Sequence, residues 1–176
     1  MVSRDLARNP EPRTRGFTLL ELAAAIVLIG ALAAVLLNRL AFYQEMAEKA
    51  AMEATLRTIK TGLQIRLAEL ILTNRQAEAE RLEAEDPVLW LDEKPPNYGG
   101  PYREPPERGT WYYDAPAREL VYVVNTGSRL KIGDGSEGRE LRFRTRVLKD
   151  RVRFGGVEVE GVAGIALTPV RPYHWS

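Results

Sequence analysis

Residues 17–37 contain one charge, Glu21, in an otherwise uncharged and mostly apolar run, and no proline occurs between Phe17 and Asp86. At 1.5 Å per residue a helix of that run spans roughly 30 Å, the thickness of bilayer hydrocarbon. A single segment in hydrocarbon must satisfy its own backbone hydrogen bonds, so the run is predicted to be a membrane helix. Its apolar core is longer than the 7–15 residues or so of an ordinary secretory signal. The preceding residues 1–16 carry Arg4, Arg8, Arg13 and Arg15 against Asp5 and Glu11. Pro10, Pro12 and Gly16 argue against regular structure there. The positive-inside rule places this leader in the cytoplasm. A carboxylate at mid-bilayer costs on the order of 3 kcal/mol unless it is paired or near the headgroups. Glu21, close to the start of the run, is therefore either an interfacial side chain or one half of an ion pair.

The helical pattern continues beyond Asn38 and Arg39. Ala47, Ala51, Thr55, Ile59, Leu63, Leu67 and Leu70 recur every three or four residues, as one face of an amphipathic helix does. Gln44, Glu45, Glu48, Lys49, Glu53, Arg57 and Lys60 fill the other faces. One helix is predicted from Phe17 to about Leu72, with Gly30 its only weak point and no strong kink. Thr73-Asn74-Arg75-Gln76 fits a capping box, which predicts a break and a second short helix over 74–85. Asp86-Pro87 ends it, because a proline disfavours helix for the residue before it. The stretch 78–93 is strongly acidic.

Seven of the eleven prolines fall within 87–116, where 94–101 and 104–106 read as loop. Thr110-Trp111-Tyr112-Tyr113-Asp114 and Glu119-Leu120-Val121-Tyr122-Val123-Val124-Asn125, joined through 115–118, read as a hairpin. From 141 to 148, Leu141, Phe143, Thr145 and Val147 alternate with Arg142, Arg144 and Arg146, as in a half-buried antiparallel strand. Residues 157–162 and 164–170 offer one more hairpin. The expected fold class is α+β: a long N-terminal helix packed on an antiparallel sheet of about four or five strands.

The chain has 176 residues, a net charge of +1, no cysteine and one histidine, His174. Disulfides and Cys-based metal sites are excluded, and a His-dependent hydrolase would need more. The chain as a whole is no electrostatic match to nucleic acid. The Gly-rich loop 133–138 holds Asp134 and Glu137, short of the six to eight oxygens or so that calcium prefers. It reads more readily as a tight hairpin turn, and no metal site or cofactor is expected. The basic stretch 139–153 admits three readings: a solvated face, a phosphate-binding face, or a contact with the acidic 78–93 stretch of the same or another subunit. Arg142, Arg144 and Arg146 are the candidate partner contacts. Exposed pairs are worth about 0–1 kcal/mol each, so this face is expected to matter little to folding. Trp90, Trp111, Tyr112, Tyr113 and Tyr122 are expected to pack in the core or loops. The tail Tyr173-His174-Trp175 reads as exposed and open to a partner.

The heptapeptide Arg15-Gly16-Phe17-Thr18-Leu19-Leu20-Glu21, standing before a membrane run and behind a basic leader, resembles the prepilin processing site of the type IV pilin and type II secretion pseudopilin families. The segment Trp111-Tyr112-Tyr113-Asp114 followed by Leu120-Val121-Tyr122-Val123-Val124 looks, more weakly, like a pseudopilin head. The resemblance implies a pilin-like fold and cleavage between Gly16 and Phe17 by a prepilin peptidase. It implies methylation of the new N-terminus, and assembly in which the Phe17 amine pairs with Glu21 of the same or a neighbouring chain. The domains are then a leader (1–16), a transmembrane helical part (17–38), a periplasmic amphipathic helix with a short second helix (39–86) and a loop-rich β head (87–176). The implied partners are the peptidase, other pilin or pseudopilin subunits, an inner-membrane assembly platform and membrane lipid; nucleic acid is not expected. The protein would sit in the inner membrane as a single pass, head in the periplasm, and be extracted into a filament of a type II secretion system or type IV pilus. A minor pilin of DNA uptake or adhesion is the nearest alternative, and a membrane-anchored periplasmic binding protein or enzyme the alternative of another class. The family often has a proline in the membrane half of the helix and a cysteine-closed loop in the head, and this chain has neither. One pseudopilin type that caps the tip lacks the Glu, so possession of Glu21 argues against that role.

Overall fold

The computed structural model describes residues 18–133, 138–154 and 157–175. One α-helix, α1 (Leu19–Leu72), is followed by 3₁₀ segments at Gln76–Glu83 and Pro87–Trp90. Seven strands then follow: β1 (Tyr98–Pro101), β2 (Thr110–Asp114), β3 (Glu119–Val123), β4 (Leu130–Ile132), β5 (Glu140–Phe154), β6 (Val157–Pro169) and β7 (Tyr173–Trp175). The architecture is α+β, a long N-terminal helix followed by a largely antiparallel sheet, consistent with a pilin fold.

The chain forms two compact units, Met1–Ala41 and Phe42–Ser176. In the first, α1 is apolar all round and almost wholly exposed, with Leu19, Leu20, Val27 and Leu36 among its uncovered side chains. It passes the length and composition test for crossing a membrane. The helix runs unbroken through Gly30.

In the second unit one face of α1 is buried. Met52, Leu56, Ile59, Leu63, Leu67 and Leu70 pack with Trp111, Leu120, Tyr122, Leu141, Phe143, Ile165 and Leu167 in a single core. The early part of this stripe differs from the predicted one, since Ala51 is exposed and Ala47 is not part of the core. The helix turns Met52 and Leu56 inward instead, which buries more apolar area. Gly62 is required by close approach. A Cβ there would lie 2.6 Å from a Leu91 methyl and 3.2 Å from the Trp90 carbonyl oxygen. The Pro87–Trp90 turn thus seats directly on the helix.

The main sheet has the order β1-β2-β3-β5-β6, and β4 pairs with β7 in a second, two-stranded sheet. The β2–β3 hairpin forms at the predicted residues, with Arg118 at φ +55° in its turn. β5 alternates as expected, Leu141 and Phe143 inward, but extends to Phe154. Several expectations are corrected. The 94–101 loop contains β1, which pairs parallel with β2, so the sheet is mixed. Residues 157–169 form one strand rather than a hairpin. Its partner β5 is long enough to match it throughout, and an irregularity at Leu148/Lys149 absorbs the extra residue. Thr73 does not cap the next helix. Its hydroxyl turns back to the Glu69 carbonyl at 2.7 Å, and the 3₁₀ segment starts from Arg75 with no side-chain cap. That segment ends at Glu83, short of Asp86, which instead accepts from Val88 N at 3.0 Å to cap the Pro87–Trp90 turn. The strand before the 133–138 loop, β4, pairs with β7. Residues 134–137 of that loop, and with them both the turn reading and the calcium question, lie outside the described residues.

Two helix positions six residues apart test this packing. Ile59→Ala, at a site with no exposure, should cost about 2–5 kcal/mol in urea unfolding of the protein. Ile65→Ala, 58% exposed, should stay within about 0.5 kcal/mol of wild type.

Candidate functional site

The start of α1 is built by two side chains three residues apart. Thr18 Oγ accepts from Glu21 N at 3.2 Å, and Glu21 Oε2 accepts from Thr18 N at 3.0 Å and from the Thr18 hydroxyl at 3.1 Å. This is a capping box, in which the N-terminal donors of a helix are satisfied reciprocally. The first intrahelical bond, Leu22 N to Thr18 O at 3.1 Å, follows directly. The only carboxylate in the apolar run therefore has a local reason for its position. One of its oxygens holds the helix start, and the other has no hydrogen-bond partner among the described residues. Gly16 and Phe17, the expected processing junction, lie outside the described residues.

Farther along α1, two carboxylates one turn apart collect the head's polar backbone. Glu45, 2% exposed, accepts from Ser128 Oγ at 2.5 Å, Arg129 N at 2.8 Å and Trp175 Nε1 at 2.9 Å. Glu48 accepts from the Tyr122 hydroxyl at 3.0 Å, Asn125 N at 2.6 Å and both the backbone and hydroxyl of Thr126. Lys49 Nζ donates to the Trp175 carbonyl at 2.5 Å. Trp175 is thus buried and Tyr173 half-buried, correcting the expectation of an exposed tail; His174 is exposed. The reason is that β7 pairs with β4 and delivers the indole to a buried carboxylate. Burial raises the Glu45 carboxyl's affinity for a proton. The donors from Ser128, Arg129 N and Trp175, with the Arg129 charge, outweigh that and hold its pKa below the usual carboxylate value. The sequence pattern put Glu45 among the residues that fill the faces other than the apolar stripe. The signal it passed over is spacing: Glu45, Met52 and Ile59 stand seven apart, on one helix face.

On the sheet face away from α1, Tyr112, Val121 and Val123 form a small second cluster with Tyr102. Beside it Arg142 is held by three carboxylates, at 2.9 Å from Asp114, 3.2 Å from Glu119 and 2.9 Å from Glu140. Burial disfavours its charge, but these hydrogen bonds outweigh that and raise its pKa. The Tyr102 hydroxyl donates to Glu140 at 2.6 Å, which with partial burial lifts its pKa to about 12. Arg144 reaches Glu119 at 2.6 Å, whereas Arg146 is exposed and has no ion-pair partner among the described residues. The basic and acidic stretches also meet within the chain. Lys149 pairs with Glu80 at 2.6 Å, and Glu83 accepts from Val147 N at 2.6 Å. Of the three candidate contact arginines, two are therefore engaged internally. No group of three or more His, Cys, Asp or Glu side chains able to hold a metal ion occurs among the described residues.

Residues 12–37 match the family model described as the prokaryotic N-terminal methylation motif. The chain thus carries a prepilin-type signal, the hallmark of type IV pilins and pseudopilins. With the apolar start of α1, which it overlaps, this signal supports a membrane-anchored, single-pass protein. Comparison with curated proteins and with solved structures returned no match.

Two outcomes are expected here. A carboxylate whose pKa is lowered by folding stabilises the fold above its unfolded pKa, near 4.5, and loses that contribution as pH falls through the folded value. The melting temperature of the protein should therefore drop below about pH 4.5, and Glu45→Gln should flatten that drop while costing about 1–3 kcal/mol at pH 7. Arg142→Glu should cost a similar amount by placing a fourth carboxylate among three, so the basic face is not neutral to folding as its sequence suggested. Arg146→Glu should leave the melt within about 0.5 kcal/mol of wild type.

Proposed function

We propose that the protein is a structural filament subunit of the type II secretion or type IV pilus kind. A prepilin peptidase cleaves it between Gly16 and Phe17, the Phe17 amine is methylated, and the mature chain polymerises through its apolar helix. The observation that carries this reading is the methylation motif placed on the exposed apolar start of α1, whose only charge as far as Leu37 is Glu21. Before extraction the leader faces the cytoplasm, as its arginines require, and the head faces the periplasm beside an inner-membrane assembly platform.

Glu21 has two tasks on this reading. One carboxylate oxygen caps α1 through Thr18, and the other receives the cationic amine of Phe17, its own or a neighbour's. Capping also lowers the cost of bringing the first turn to the membrane boundary, because orphan N–H groups there are already bonded.

Mass spectrometry of the mature protein should find an N-terminus at Phe17 with one added methyl group, and Gly16→Val should retain the leader. Glu21→Val should insert and be cleaved but fail to assemble. Glu21→Gln, which keeps the cap acceptor and removes the charge, separates the two tasks: assembly should still be lost. A mature chain that begins after Leu37, or normal filaments from the Val variant, would overturn the reading.

A further inference from the structure

The head contains a cleft of about 730 Å³ whose apolar lining includes Val123, Ile132, Leu141 and Val170. Arg108, Arg139 and Arg171 line it too. All three are exposed and have no ion-pair partner among the described residues. The two carboxylates in the lining, Glu119 and Glu140, are already committed to Arg142. The cleft therefore offers apolar contact under unneutralised positive charge, which is the chemistry of a receptor for an acidic segment with an apolar anchor.

The same chain presents such a segment. In the turn after Asp86, Leu89 is 58% exposed, and Asp92 and Glu93 follow it, exposed and without ion-pair partners among the described residues. The segment and the cleft belong to different levels of the helix. Leu91 seats against Gly62, whereas Glu48 holds Asn125 and Thr126, and the neighbouring Val124 N bonds the Arg139 carbonyl. Gly62 and Glu48 are fourteen residues apart on α1, or roughly 21 Å. The two surfaces are thus offset along the helix axis and differ in kind, so one copy's segment meets another copy's cleft by a shift along that axis. A contact between two unlike patches is heterologous, and one that also shifts each copy along the axis cannot close into a ring, so repetition produces an open filament.

We infer that the Arg108–Arg139–Arg171 cleft receives the Leu89, Asp92 and Glu93 segment of a second copy of this chain. The inference rests on the filament reading above and adds to it a head-to-head contact with defined polarity. Opposed potentials of this sort set register and encounter more than they add affinity. The apolar membrane helices would supply adhesion, and the cleft would select which neighbour is accepted.

The chain has no cysteine, so cross-linking can be read without background. Full-length Asp92→Cys and Arg139→Cys chains are co-expressed, the membranes and filaments are oxidised, and disulfide-linked dimers are scored; the chain carrying both substitutions should give a ladder. Arg139→Glu with Arg171→Glu should lower filament yield up to about tenfold at low salt, since two surface pairs together are worth about 1.4 kcal/mol or less. Adding Asp92→Lys and Glu93→Lys to that chain should restore it. All four positions are exposed, so the head's melting temperature should barely move. Filaments that form normally without any 92–139 cross-link would overturn the contact and leave the filament reading intact. Cross-linking of the Arg139→Cys chain only to a different protein would overturn the choice of occupant. If the wild-type chain forms no filament although it is cleaved at Phe17, the contact and the reading it rests on both fall.

Discussion

Two carboxylates, Glu45 and Glu48, convert a helix into a foundation for the head. The segment 125–129 has no strand partner, so no sheet ladder takes up its backbone N–H groups. Glu45 and Glu48 supply acceptors instead, from a single turn of α1. The Trp175 indole and the Tyr122 hydroxyl then join the same two groups. Without this polar seam the apolar stripe from Met52 to Leu70 would still attract the sheet, but hydrophobic burial has no direction. The carboxylates fix the register, and that register decides which strands cover which turn of the helix.

The opposite sheet face uses a different solution. Arg142 stands among Asp114, Glu119 and Glu140, each from a different strand or strand end. An isolated guanidinium at such a half-covered place would be costly, and three isolated carboxylates more so. Together they tie β2, β3 and β5 across their outer face, where the Tyr102–Tyr112 cluster gives only modest apolar cover. The charged face that resembles a binding surface in one dimension is, in three, largely a set of internal ties. What remains open to partners is displaced to Arg146 and to the cleft rim.

Much of this was legible in residue order. The helix from Leu19 to Leu72 follows from the absence of proline and from periodicity, and the β2–β3 hairpin and the inward Leu141 and Phe143 follow from alternation. The motif at 12–37 was visible in Gly16, Phe17 and Glu21. The failures share one cause, which is that local pattern does not reveal tertiary partners. Tyr98-Gly99-Gly100-Pro101 looks like loop because glycine and proline usually break strands, yet β2 offers it a parallel edge. Thr73 and Thr18 both begin a Thr-x-x-Glu/Gln pattern, and only Thr18 caps; Thr73 finds a nearer acceptor in the turn it leaves. Glu45 reads as lying off the buried stripe because a charge on that face makes sense only once Ser128, Arg129 and Trp175 are known to arrive there.

The order in which the core's parts are synthesised has its own consequence. Glu45 emerges from the ribosome 130 residues before its partner Trp175, and the Met52–Leu70 stripe emerges long before Ile165 and Leu167 can cover it. During that interval a membrane anchor would already be inserted while the amphipathic half of the same helix stood bare in an aqueous compartment. Such a chain cannot fold its head vectorially from the N-terminus. The Met52–Leu70 face of the helix stays uncovered until the last strands arrive, so the core closes only when the chain is nearly complete.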